Sequence, residues 1–326
     1  MRRQRLVFLG MLCGFLLLLP VFTSNAYILH IFIMGFIWSI FALGLNLLLG
    51  YTGQMSVAHA GLFGIGAYGS ALLAIHAKFP FWLSLPIAIA VVVIVSIVIA
   101  IPAVRTRGMS FAVLTLSAGM ILYEIFVNWG ALTKGPLGIM GIPLPSPIRI
   151  GSISLSFNTK SSLYYLVFFF TIASVALMAG IVRTQLGKMF VCIREDEQLA
   201  SVMGINVGVT KCASFVLSSL FAGLAGALYA HYIRYISPES FSFGVCFEAI
   251  VMAIVGGSGT LAGPIVGAFL LITLPEVLRA ADSWRLIVYA ALLLIVLIYM
   301  PEGIVPKISA LYSRVFPEVG RKEDEV

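Results

Sequence analysis

Glu124, Glu248 and Glu276 interrupt long apolar runs, and His59 stands alone among small residues in another. Proton relay is the first chemistry open to such groups, because an ionised side chain at the centre of a membrane costs about 2.5–3.5 kcal/mol and is retained there for a reason. Glu124 and Glu276 fall near the ends of their runs, within reach of water, which leaves Glu248 as the relay candidate. Its plainer reading is a hydrogen bond to a neighbouring helix, and His59 is likewise either a substrate contact or a packing hydrogen-bonder. Nucleotide chemistry has no candidate. Gly187-Lys188 is followed by Met189 and lacks the upstream glycine of a phosphate loop, and residues 256–260 share only composition with one. There is no H-E-x-x-H and no pair of aspartates in neighbouring apolar runs, so intramembrane proteolysis has no site either.

The longest charged interruption is residues 183–211, RTQLGKMFVCIREDEQLASVMGINVGVTK. Within it Glu195, Asp196 and Glu197 precede Leu199, Val202 and Met203, which share one face at helical spacing, and Gly204 follows directly. The acids suit the positive end of a helix dipole and the glycine supplies a left-handed stop. A short helix with an apolar face is predicted, either bound by a partner or lying on the protein's own surface.

The elements that position these residues are set by composition. The chain has 326 residues, 61% hydrophobic and 10% charged, with mean hydropathy +1.08, and so is an all-α polytopic membrane protein. Apolar spans fall at residues 6–22, 27–50, 50–73, 81–104, 109–129, 163–182, 212–233, 243–255, 256–280 and 284–300, about ten transmembrane helices at roughly 20 residues each. Residues 1–326 thus form a single transmembrane domain. The first span is read as an uncleaved helix, although residues 23–26 resemble a cleavage site. The tail, 301–326, is expected to be charged and frayed, and the Gly-, Pro- and Ser-rich residues 133–160 form an external loop. Arg105, Arg107, Arg183, Lys188, Arg194 and Lys211 join both termini on the more basic side, against Lys78, Lys134, Lys160 and Arg234 among fewer on the other. This bias, with both termini cytoplasmic, accounts for the net charge of +7 without nucleic acid. Cys13, Cys192, Cys212 and Cys246 have no disulfide or metal-ligand spacing and read as packing residues.

Two glycine-rich stretches break this apolar register. Irregular backbone at membrane depth survives only where protein or a water-filled path surrounds it, which places Gly53, Gln54, Ser56 and His59 near a permeation route. Gly257 and Gly259 mark the second break, and Glu248 lies just before it. The stretches GYTGQMSVAHAGLFGIGAY and VGGSGTLAGPIVGAF are alike, and paired glycine interruptions in two halves point to a transporter's substrate path. The span count gives them the same orientation. Gly61, Ile65 and Gly69 are expected to form one helix-packing ridge, as are Ser218, Ala222, Gly226 and Ala230.

Five ordered blocks carry a resemblance that covers nearly the whole chain: residues 44–68 (GLNLLLGYTGQMSVAHAGLFGIGAY), 105–116 (RTRGMSFAVLTL), 133–143 (TKGPLGIMGIP), 194–207 (REDEQLASVMGINV) and 240–268 (SFSFGVCFEAIVMAIVGGSGTLAGPIVGA). Together they resemble the LivM-type permease of branched-chain amino acid ABC importers. The resemblance implies a type II-like ABC importer permease in a bacterial inner membrane, moving hydrophobic amino acids by alternating access. Its implied partners are a second, LivH-type permease, two cytoplasmic ATP-binding subunits and a periplasmic substrate-binding protein. It implies no cofactor and no catalysis in this chain, ATP hydrolysis being the partners' work. REDEQLASVMG is similar to the coupling-loop motif, which assigns ATPase coupling to Arg194, Glu195, Asp196, Glu197, Ala200 and Gly204. This chain departs from the family with Gln198-Leu199 before Ala200, and with Lys134 where glycine is common. Permeases for urea, short amides or other small solutes share these blocks. An ion-coupled carrier is the rival of another class, and the short charged-loop helix weighs against it.

Overall fold

The computed structural model describes residues 14, 16–23, 25–150, 153–278, 285–300 and 302–315. Cys13, the N-terminal arginines, Arg279 and the last eleven residues lie outside these, as does most of the first expected span. Helix α1 (Ala26–Asn46) is capped by the Asn25 side chain and continues into a π-helical turn, Leu47–Thr52. Then come α2 (His59–Ile75), α3 (Phe81–Ala103) and α4 (Met109–Asn128). Helix α5 (Lys160–Arg183) starts at a Thr159–Ser162 capping box, and α6 (Gln185–Glu195) and α7 (Glu197–Val202) follow it closely. Helix α8 (Val207–Ile233), capped by Asn206, precedes α9 (Phe243–Gly256), α10 (Gly263–Val277), α11 (Arg285–Tyr299) and α12 (Ile304–Val315).

Five described helices are long and apolar enough to cross a membrane unaided, α1 with its π turn, α3, α4, α5 and α8. Helices α2, α9 and α10 are apolar but shorter. At 1.5 Å per residue, the 14 residues of α9 reach only about 21 Å, short of a hydrocarbon core of about 30 Å. These short helices flank the two glycine-rich breaks.

Helix α8 is the axis of the bundle and packs on α1, α2 and α3, while α1 also packs on α5, α9 and α10. A Cβ on Gly226 would overlap the Phe63 carbonyl oxygen, so α2 and α8 touch backbone to backbone. The predicted α8 stripe of Ser218, Ala222, Gly226 and Ala230 is buried as expected. The expected α2 ridge divides. Gly61 faces Leu122 of α4, Gly69 faces Ala88 of α3, and the backbone contact to α8 is made at Gly66. Aromatic rings fill the remaining core, with Phe41 and Phe63 at 4.9 Å and Phe36 and Phe269 at 5.2 Å between centroids.

At one end of the bundle, residues 133–160 are stapled down. Phe81 N donates to Ser146 Oγ (2.9 Å), Trp82 Nε1 to Ser146 O (3.0 Å) and Arg234 Nε to Ile142 O (3.1 Å). Strand β1 (Ile139–Met140) pairs antiparallel with β4 (Tyr235–Ile236), and β2 (Ile148–Ile150) with β3 (Ile153–Leu155). Lys134 has φ 63°, the left-handed conformation a glycine adopts freely, which explains why glycine suits that position. At the opposite end lie both breaks and α6, α7 and α12. The tail is not frayed throughout, since Ile304–Val315 is helical and its Pro306 sits where a Cβ on Gly257 would meet it.

Candidate functional site: a short capped helix and two joined breaks

Helix α7 is fixed at both ends by its own sequence. Asp196 Oδ1 accepts from Gln198 N (2.8 Å) and Leu199 N (3.0 Å), taking up donors that a helix start leaves free. At the other end Gly204 has φ 85°, Ile205 N donates to Ala200 O and Gly204 N to Ser201 O, both at 3.1 Å. This is the glycine stop that the sequence predicts. A Cβ on Gly204 would meet nothing within 4 Å, so within this chain only backbone conformation asks for glycine.

Side-chain packing fixes which way the helix faces. Ala200 is buried, and Glu197 is gripped by Arg107 Nε (3.0 Å) from the α3–α4 turn and by Lys211 Nζ (2.7 Å) from α8. Leu199, Val202 and Met203 are turned outward and are 57%, 85% and 71% exposed. Among the described residues, none covers this apolar face. Glu195 belongs to α6, where it holds the Arg194 guanidinium (2.6 Å).

The first break begins in the π turn, whose Thr52 Oγ1 donates to Leu47 O (3.0 Å), and passes through Gly53 at φ 71°. Gln54 N reaches back to Leu48 O (2.9 Å), while Gln54 Oε1 is buried without a partner among the described residues. In the second break Gly257 and Gly259 have φ 124° and 75°. Asn46 joins the two. Its Oδ1 accepts from Gly259 N (2.9 Å) and its Nδ2 donates to Thr260 O (2.8 Å). Arg194 closes the junction, with Nη1 donating to Gly50 O (2.7 Å).

Ser56 and His59, expected beside a path, are fully packed instead. Ser218 Oγ donates to Gly44 O (2.5 Å) and so accepts from His59 Nε2 (2.7 Å), which leaves Nδ1 to accept from Ser56 Oγ (2.9 Å). A neutral imidazole completes this set, and His59 packs α2 on α8. His231, not singled out in the sequence, does the same at the other end, between Ser70 Oγ (2.8 Å) and Pro143 O (2.8 Å).

Glu276 accepts from the Tyr27 hydroxyl. Glu248 is exposed on α9 and has no hydrogen-bond partner among the described residues, so its expected helix–helix bond is not made among them. Glu124 is exposed on α4, bonded to Asn128 Nδ2 (2.8 Å). It lines a 180 Å³ cavity with Gly61, Tyr123 and Phe243, and an open groove of 590 Å³ with Met120, Asn128 and Trp129. Glu124 was expected near the water-exposed end of its span, and its place between two hollows depends on neighbours far along the chain. Among the described residues no cluster of His, Cys, Asp or Glu could hold a metal ion.

Residues 27–297 match the family described as the branched-chain amino acid transport system permease component. The chain is similar to the high-affinity branched-chain amino acid transport permease LivM of Salmonella typhimurium, 29% identical over 291 residues that cover 84% of this chain and 68% of the relative. It is also similar to LivH of the same organism, 27% identical over 292 residues that cover 83% of this chain and 92% of the relative. A nucleoside ABC transporter permease, NupC of Lactococcus lactis subsp. cremoris, is 29% identical over 195 residues, covering 56% of this chain and 60% of the relative. No solved structure matches the chain.

Proposed function

This chain belongs to the branched-chain amino acid transport system permease family, and from that premise we propose that it carries branched-chain amino acids inward by alternating access, driven by ATP hydrolysed on partner subunits. Its partners are a LivH-type permease, two ATP-binding subunits and a periplasmic binding protein. Residues 183–211 are the cytoplasmic coupling loop, and α7 is the point at which an ATP-binding subunit docks. The observation that carries this reading is the exposed trio Leu199, Val202 and Met203 on a helix immobilised by Asp196, Glu197 and Gly204. Three large apolar side chains held outward, two on a six-residue helix and Met203 at its C-cap, form a hydrophobic anchor of the kind that seats in a partner's pocket.

The substrate path runs along the face of α4 and α9 that bears Glu124 and Glu248, against the second permease. Glu248 facing lipid at the membrane centre would cost about 2.5–3.5 kcal/mol, which water or a protein partner removes, while Glu124 stands nearer the end of its span and is bonded to Asn128. Gln54, with its unpartnered oxygen, and Gly53, Gly257 and Gly259 belong to the hinge at the inner end of that path. The likeness to a nucleoside permease supports a second reading, in which the same frame carries another small solute.

The test is uptake in proteoliposomes containing both permeases, the ATP-binding subunits and the binding protein. Labelled leucine is expected to accumulate with ATP, without competition from uridine. Val202→Asp and Gly204→Asp are expected to lose the ATP-binding subunits on purification and to cut uptake at least about tenfold, as anchor substitutions do. Retention of both subunits and uptake in variants of normal membrane abundance would remove α7 as the docking point. Competition by uridine alone would favour the second reading.

A further inference from the structure

Arg194 reaches away from α7 and into the bundle, to the first glycine-rich break. It is the penultimate residue of α6, and its three nitrogens work in two directions. Nε and Nη2 hold Glu195 Oε1 (3.2 and 2.6 Å), while Nη1 donates to Gly50 O (2.7 Å), 144 residues away in sequence. That carbonyl is available because the π turn has sent Gln54 N to Leu48 O, leaving Gly50 without its helical donor. The backbone closes in on the same side chain from two more places. A Cβ on Gly53 would lie 2.9 Å from Arg194 Cγ, and one on Gly259 would lie 3.1 Å from Nη1. A Cβ on Gly50 would overlap Gly259 N and Asn46 Oδ1. First break, second break and charged loop therefore meet at one point, with Asn46 and Arg194 as the bonded pieces between them.

We infer that Arg194 is a positioning residue that locks the 183–211 segment to both glycine-rich breaks, so that a displacement of α7 reaches Gly50 and Gly259 together. This rests on the docking reading above and gives Arg194 a part directed at the membrane core, with no contact to the ATP-binding subunit. The residue type fits the task. A guanidinium is a rigid planar fork that holds Glu195 on one edge and a carbonyl on another, whereas an ammonium on a flexible stem cannot fix both directions. The surrounding glycines let three backbones come close enough for one side chain to touch all of them.

The test compares Arg194→Gln and Arg194→Lys with Val202→Asp in the reconstituted complex. Arg194→Gln is expected to keep its ATP-binding subunits and to hydrolyse ATP, while loaded binding protein no longer stimulates hydrolysis and uptake per ATP falls about tenfold. Arg194→Lys should recover part of that ratio. Wild-type uptake per ATP in Arg194→Gln would overturn the inference. Loss of the ATP-binding subunits from that variant would also overturn it, because Arg194 would then belong to the docking surface. Val202→Asp reads the docking proposal separately: if it keeps both subunits and uptake, that proposal falls whatever Arg194→Gln does. A measurement on the native side chain covers a variant that does not fold. Cys192 on α6 and Ser258 in the second break are both exposed. Spin labels on Cys192 and Ser258→Cys, in a chain without its other cysteines, should keep one distance in nucleotide-free and vanadate-trapped complexes. A second distance in the trapped state would show that loop and break move apart, against the inference.

Discussion

At Glu197 one carboxylate serves two cations of different character. The Lys211 side chain is 3% exposed and its ammonium has no other partner among the described residues, whereas the Arg107 side chain is 67% exposed. An exposed pair contributes about 0–1 kcal/mol, but a buried charge stripped of its partner costs several. Glu197→Gln should therefore destabilise the folded chain by roughly 2–3 kcal/mol, below the fully buried figure because Glu197 is itself 23% exposed. Lys211→Met should cost within about 1 kcal/mol, since it removes the buried charge and leaves Glu197 to Arg107 and water. Thermal unfolding of the purified protein in nanodiscs checks the ordering, and a larger loss from Lys211→Met would contradict it. The double variant should resemble Lys211→Met alone. His59 shows the complementary case, a buried titratable side chain whose hydrogen bonds are complete within the fold and which needs no ligand to explain it.

Among the elements, the α2–α8 pair sets the tightest tolerance. Because Gly226 faces the backbone of Phe63 and not a movable side chain, a substituent there cannot be absorbed by a rotamer change. Gly226→Val should cost about 3 kcal/mol or more, the upper range for overpacking, and lower both melting temperature and membrane abundance. Gly180→Val on α5, where a Cβ meets nothing within 4 Å, is the matched control and should be tolerated. An unchanged melting temperature for Gly226→Val would show that the helices can separate. The contrast also marks what the sequence could and could not convey. The α8 stripe was legible because four small residues at intervals of four must share a face. Gly61, Ile65 and Gly69 share a face too, yet that face is wide enough to meet α3 and α4 at once, and only the rotation of α2 against its neighbours assigns each glycine. The two ends of α7 and its apolar face were legible, since Asp196, the apolar trio and Gly204 act within one short segment, whereas Glu195 falls in α6 and the ion pairs of Glu197 depend on Arg107 and Lys211 from elsewhere. Arg194 was not, because its acceptor lies on a distant strand of sequence and exists only once the π turn has formed. The helix at Ile304–Val315 was hidden by the charged residues after it, which dominate the composition of the tail.

For the molecule as a whole, the two breaks stand at the same end of the bundle, and that end also carries α7 and the Arg105–Arg107 turn. Parallel placement follows from the connections: α1 and α9 both run toward this end, and α2 and α10 both run back. Unlike an inverted pair on opposite faces, two breaks bonded through Asn46 are both open to contact from one side. Arg105, Arg107, Arg183, Lys188, Arg194 and Lys211 lie at this end, while Lys78, Lys134, Lys160 and Arg234 lie at the other. We propose that the first end faces the cytoplasm, a reading supported by the excess of basic residues in short connections and required by the proposed docking of an ATP-binding subunit. Ser201 on α7 and Ser156 in the opposite loop are both exposed and can report the orientation. In right-side-out vesicles made with a chain lacking its four cysteines, a membrane-impermeant maleimide should label Ser156→Cys and leave Ser201→Cys unlabelled until the membrane is opened. The reverse pattern would place α7 outside, where no ATP-binding subunit can reach it. Neither its exposed apolar face nor the Arg194 junction could then be linked to ATP hydrolysis.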